Sequence, residues 1–191
     1  MKVENLRVEY LKNPLAIDIR NPRLSWYITE NSNRRGIKQS AYKILVSDSP
    51  QILSQKEGNI WNSGKLISES SIQIEYGGTP LVPYQRYYWK VKIWDENDNE
   101  TDWSEEEAFW QMSMITQDWG DAQWIGGSEP PRNEIEVYDP TKGFTPQRLI
   151  ESTPSPLLRK KFIVNKPIKR SILYSTALGE YLLYLNGVKV G

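Results

Sequence analysis

Between Leu81 and Trp94 the chain reads LVPYQRYYWKVKIW, and no other stretch constrains the fold as tightly. Successive residues of a strand point to opposite faces. Tyr87, Trp89, Val91 and Ile93 therefore share one apolar face, and Tyr88, Lys90, Lys92 and Trp94 share the other. A period of two held over this length specifies a long strand with one face in a core. Tyr87 stands six residues after Leu81, where that strand begins. A phenol placed there bonds to backbone upstream of itself and pins the crossover between two packed sheets, an arrangement known as a tyrosine corner. Residues 95–102 (DENDNETD) then supply a polar hairpin turn, and 103–111 a further strand.

The rest of 1–115 repeats the theme. Residues 3–10 alternate, with Leu6, Val8 and Tyr10 as the apolar stripe and Val3 on the opposite face. Strand-like runs at 15–19, 24–28, 41–46, 60–61 and 71–76 are separated by Asn-Pro pairs, the polar loop 30–36, Ser47-Asp48-Ser49-Pro50 and Asn62-Ser63-Gly64, and close at Gly77-Gly78. No stretch keeps a 3.6-residue period over ten residues, and 50–57 could form one turn of helix. The fold class expected is all-β. With its tyrosine spacing, 1–115 resembles a fibronectin type III domain, one of the immunoglobulin-like sandwiches.

Beyond residue 115 the pattern changes. Residues 116–127 break the alternation and carry Trp119 and Trp124, which as large aromatics in a connector would wedge two modules together. Six of the twelve prolines fall within 128–156, which reads as a long irregular excursion. Strand signals return at 157–164 and 171–178. Residues 181–190 form a hairpin around Asn186-Gly187, since both residues tolerate the positive φ of a type I′ turn. So few strands cannot close a sandwich, and 128–191 is expected to be an incomplete one. Residues 156–191 are then expected to be mobile or to pair with a second copy.

Composition narrows the chemistry. The chain of 191 residues has no His and no Cys, which removes serine–histidine triads, thiolate catalysis and sulfur-ligated zinc. Its 24 basic and 24 acidic side chains cancel, leaving no positive field to gather nucleic acid or acidic lipid. No apolar run approaches the ~20 residues of a membrane span. A carboxylate pair could still hydrolyse a glycoside. The carboxylates, however, cluster at 95–102 and 105–107, where turn-capping and a solvated rim are the ordinary roles. Eight Trp and 12% aromatic residues fit sheet packing, with sugar stacking as the alternative. The opening MKVENLRVEY carries charges where a secretory signal would be apolar, so a cytoplasmic location is expected unless a leader has been removed.

Several motifs occur in order: Asn21-Pro22-Arg23-Leu24-Ser25-Trp26, Gln39-Ser40-Ala41-Tyr42, Trp61-Asn62-Ser63-Gly64-Lys65, Tyr87-Tyr88-Trp89-Lys90-Val91, Trp103-Ser104, Asp118-Trp119 with Trp124-Ile125-Gly126, Pro156-Leu157-Leu158-Arg159-Lys160, and the run from Tyr184 to Gly191. Together they resemble the N-terminal portion of bacterial α-L-rhamnosidases, inverting glycoside hydrolases that release terminal L-rhamnose. The resemblance covers nearly the whole chain except the proline-rich excursion. It implies a fibronectin-like sandwich, then the start of a jelly-roll-like one. In that family the catalytic acid and base lie in an (α/α)₆ barrel, in an acidic segment of the Asp-Gly-Pro-Arg-Asp-Glu-Arg type that this sequence lacks.

On this reading the chain is a non-catalytic accessory region. It carries no catalytic residue, no metal site and no cofactor. Tyr87, Trp26, Trp89, Trp119, Trp124, Asn186 and Gly187 serve as structural residues. Its partners would be the remainder of the same polypeptide and, for the parent enzyme, rhamnose-containing glycans, but neither nucleic acid nor membrane. Two alternatives stay open. One is a carbohydrate-binding module using Tyr88 and Trp94 as exposed aromatics. The other is an adhesive, protein-binding domain, since fold does not fix function. Trp94 and Trp110 fall outside the family-like motifs.

Overall fold

The computed structural model describes residues 1–30, 36–105, 107–114, 119–127, 141, 155–168 and 170–190. The chain divides into two compact units, Met1–Asp121 and Ala122–Gly191.

The first unit is a sandwich of two antiparallel sheets. One contains β1 (Lys2–Val8), β2 (Arg23–Thr29) and β6 (Ile74–Glu75), in the order β1-β2-β6. The other contains β3 (Gln39–Ser47), β4 (Trp61–Asn62), β7 (Arg86–Asp95) and β8 (Ala108–Gln111), in the order β4-β3-β7-β8, with β5 (Leu66–Ile67) also paired to β3. A short helix, α1 (Pro50–Ser54), starts with Pro at a position where no amide donor is needed.

Strand β7 follows its sequence pattern: Tyr87, Trp89, Val91 and Ile93 are all buried. They meet Leu6 and Val8 of β1, Leu24 and Trp26 of β2, Ile44 and Val46 of β3, and Trp110 of β8 in one core. Trp26 and Tyr42, from opposite sheets, pack edge to face with ring centroids 5.3 Å apart. Because β3 and β7 are central, the outer face of β3 is also partly covered. Leu45 is buried there, as is Leu53 of α1.

Three differences from the sequence pattern have physical causes. In β1, Glu4 faces Tyr27 but Arg7 faces Ser25, so β1 carries one extra residue between them. This is a β-bulge, with Asn5 in the left-handed region at φ 53°. One extra residue reverses the alternation, and Val3 lands on the same face as Leu6 and Val8, all three buried. The stripe also ends sooner than expected. Glu9 and Tyr10 both have positive φ, and Tyr10 turns out to solvent. Finally, 15–19 forms no strand. Only Ile17 bridges, in parallel, to Met112: its amide donates to the Gln111 carbonyl at 2.9 Å and its carbonyl accepts from Ser113 at 2.7 Å. Ile17 is buried, whereas Leu15 and Ile19 are exposed.

In the second unit the described residues contain one hairpin, β9 (Leu183–Leu185) with β10 (Val188–Val190). Its turn residues Asn186 and Gly187 have φ of 50° and 82°, the doubled positive φ of a type I′ turn. The strands expected at 157–164 and 171–178 are absent among the described residues. Alternation supplies a face but not a ladder, and a strand exists only when a neighbour takes its backbone hydrogen bonds. None of the described residues of this unit is buried. The proline-rich excursion lies outside the described residues apart from Thr141, Ser155 and Pro156, as do residues 31–35 of the polar loop and Asp118 of the connector.

Candidate functional site

The polar side chains that the core encloses are structural fasteners. The Tyr87 hydroxyl accepts a hydrogen bond from the Val82 amide at 2.8 Å. Its ring lies 5.5 Å from that of Trp110. Trp110 in turn lies 6.0 Å from Tyr76, and Tyr76 5.2 Å from Trp61. The Tyr76 hydroxyl donates to the Thr79 carbonyl at 2.7 Å. Burial pushes its pKa up to about 12, so it stays a neutral donor. Replacing Tyr87 with Phe is expected to cost about 1–3 kcal/mol, because the Val82 amide then loses its acceptor in a partly buried place. Urea denaturation would measure this as a lower midpoint at unchanged slope.

A second fastener ties β2 to the loop that follows β5. Trp26 donates from Nε1 to Gln39 Oε1 at 3.0 Å. Gln39 Nε2 donates to the Ser68 and Ser70 carbonyls at 3.0 and 2.7 Å. Gln39 is itself buried, so three of its hydrogen-bonding positions are filled without water.

A third lies at the end of β1. Glu9 takes the Arg23 fork, with Nη2 to Oε2 at 2.6 Å, Nε at 3.2 Å from both oxygens, and the Arg23 amide at 2.6 Å from Oε1. These hydrogen bonds hold the Glu9 carboxyl below its ordinary pKa of 4.5. The stabilisation is therefore fully present above pH 4.5 and is lost as the pH falls through the lowered folded-state value. Wild type is expected to be more stable than Glu9→Gln at neutral pH. The gap should close on acidification below 4.5, as read by thermal unfolding across a pH series.

The acidic segment after β7 is occupied by its own fold. Asp95 is buried, and its Oδ1 accepts from the amides of Asn97 and Asn99, both at 2.9 Å. Asp98 pairs with Lys65, and Glu100 with Lys92 at 2.6 Å. Among the described residues no group of three or more His, Cys, Asp or Glu could hold a metal ion.

The outer face of β7 departs from its sequence reading. Trp94, expected as an exposed aromatic, is buried, with Lys65 and Lys92 ammoniums over its ring at 4.6 and 5.0 Å. Tyr88 is half-buried against Phe109. Trp110, outside the family-like motifs, is fully buried in the core. Trp26, Tyr87 and Trp89 belong to the core, and the Trp89 indole N–H finds no partner among the described residues. Trp119, Trp124, Asn186 and Gly187 are exposed. Trp103, which sequence reasoning assigned to packing, lines an open cleft. The cleft, of about 480 Å³, runs between residues 1–5 and 101–105.

Residues 3–116 match the model of the Rha78A-like, N-terminal immunoglobulin domain. The chain belongs to this family. Among its relatives, an alpha-L-rhamnosidase of Formosa agariphila is 36% identical over 182 residues, covering 94% of this chain and 19% of that protein. One of Streptomyces avermitilis is 35% identical over 130 residues, covering 68% of this chain and 12% of the relative. A crystal structure of the Streptomyces avermitilis alpha-L-rhamnosidase complexed with L-rhamnose superposes with a TM-score of 0.60 at 36% identity, over 65% of this chain and 12% of that one. The structure of an alpha-L-rhamnosidase from Dictyoglumus thermophilum gives 0.58 at 30% identity, over 62% and 13%. The chain thus spans about a fifth or less of the length of the relatives it matches. An immunoglobulin-type domain of this family is by itself all-β, which agrees with the two antiparallel sheets of the first unit.

Proposed function

We propose that this chain is the non-catalytic N-terminal accessory region of an α-L-rhamnosidase whose reacting groups lie elsewhere in a longer polypeptide. Its work is to pack against the remainder of that polypeptide and to shape access to the sugar site. The observation that carries this reading is the extent of the match: the chain aligns along nearly its whole length with only 19% of a relative named alpha-L-rhamnosidase, and residues 3–116 match an N-terminal domain model.

The chemistry of the described residues supports it. An inverting glycosidase needs two carboxyl groups about 6.5–9.5 Å apart, one of them with a raised pKa. Glu9 and Glu100 are both shifted downward, by hydrogen bonds from Arg23 and Lys92. A lowered carboxyl is a poor general acid at neutral pH.

The partner we assign is the rest of the same polypeptide. The second unit supports this, since its apolar side chains are solvent-facing. The assay is direct. The purified chain, incubated with p-nitrophenyl α-L-rhamnopyranoside, is expected to release no nitrophenol above the buffer rate. Turnover that scales with the concentration of the chain would overturn the reading.

A further inference from the structure

The cleft between residues 1–5 and 101–105 plays no part in the packing described above. Its volume, about 480 Å³, lies within the range of about 300–1,000 Å³ typical of small-molecule sites. Trp103 is the only aromatic on its walls, and around it stand Lys2, Glu4, Lys12, Asp102 and Glu105. Three ammoniums, among them the Met1 α-ammonium that pairs with Glu30, stand with three carboxylates, so donors and strong acceptors are both supplied and neither sign dominates.

The indole is held rigidly. Lys90 and Lys92 ammoniums lie over its ring at 5.5 and 5.4 Å. Lys92 is fixed in turn by Glu100 at 2.6 Å, and Lys90 by the Leu53 carbonyl. Ser104, next in the chain, is bonded to β7 through both its amide and its hydroxyl: its amide donates to the Val91 carbonyl at 2.9 Å, and its Oγ accepts from the Val91 amide at 3.2 Å. The aromatic is therefore positioned before any ligand arrives, which lowers the ordering cost of binding. On the opposite wall, the bulge at Asn5 takes β1 out of register with β2. Bulges of this kind commonly re-aim side chains beside functional sites.

A ligand that suits these walls carries no net charge. It has several hydroxyls that each donate and accept, and one C–H face that can lie on an indole. We propose that this cleft binds a neutral pyranose sugar, with Trp103 under its C–H face and the Asp102 and Glu105 carboxylates accepting from its hydroxyls. Because the charges of the lining cancel, nothing in the cleft offsets the dehydration of an anionic sugar.

The proposal is independent of where the rhamnosidase's reacting groups lie, and its test can fail while the nitrophenol result stands. The ¹⁵N-labelled chain is titrated with L-rhamnose, D-galactose and D-glucuronate, and the indole N–H signals are followed. That of Trp103 is assigned by Trp103→Phe. The expected result is a saturable, millimolar shift of the Trp103 signal with one or both neutral sugars, and none with glucuronate. Asp102 and Glu105 are themselves exposed, so Asp102→Asn and Glu105→Gln leave the core intact; each should weaken the shift at least tenfold with the rest of the spectrum unchanged. No shift with either neutral sugar would overturn the proposal. So would a shift indifferent to both carboxylate variants, or glucuronate binding as well as the neutral sugars. If Trp103→Phe does not fold, the two carboxylate variants decide the outcome.

Discussion

Replacing Trp26 with alanine is expected to remove about 3–5 kcal/mol of stability from the first unit, against about 5–15 kcal/mol for a typical domain. Trp26 is completely buried where the two sheets face each other. Truncation empties the space of an indole between layers that cannot close it, because each sheet is held by its own ladder. The edge-to-face contact with Tyr42 at 5.3 Å goes with it. The Gln39 side chain, buried and bonded to the indole N–H, loses its donor and keeps a desolvated oxygen. Gln39→Ala should cost less, since the indole then loses one partner but the core keeps its volume. Chemical denaturation of both variants and the double variant gives the coupling directly; additive losses would show that the Trp26–Gln39 bond is unimportant.

Deleting residues 122–191 is expected to leave the unfolding transition of the first unit in place while abolishing most binding of a hydrophobic dye. Every buried residue among those described lies in Met1–Asp121. In Ala122–Gly191, Leu157, Leu178 and Ile163 are 97%, 90% and 86% exposed. Each such side chain forgoes about 1.5–3 kcal/mol that burial would supply. A segment of this kind contributes little to its own folding and much to stickiness. The measurement pairs a thermal melt with dye fluorescence before and after deletion. A large fall in melting temperature would show that the second unit stabilises the first. Unchanged dye binding would show that the exposed apolar surface lies elsewhere.

What could be read from the sequence was local. The alternation from Tyr87 to Ile93 and the Asn186-Gly187 turn depend on the period of a strand and on φ alone, and both occur in the structure as read. The bulge at Asn5 was not legible, because nothing distinguishes an Asn that turns left-handed inside a strand from one that does not. Its effect was to move Val3 across the sheet. Trp94 was misplaced for a different reason. Alternation assigns a face but cannot say which outer faces are covered, and Lys65, distant in sequence, covers Trp94. At 157–164 and 171–178 the pattern of a strand was present without a neighbour to complete it. The Trp103 cleft needed two segments about a hundred residues apart, so no spacing rule could have found it.

The rings of Trp61, Tyr76, Trp110 and Tyr87 follow one another at centroid separations of 5.2, 6.0 and 5.5 Å. Light absorbed by either phenol at these separations passes to an indole faster than it is re-emitted. The fixed tilts of 71°, 69° and 30° couple the ring transitions into a chiral array. The sandwich thus contains its own optical gauge. Near-ultraviolet ellipticity falls when this ring packing is lost, so variants of the core can be followed without a label.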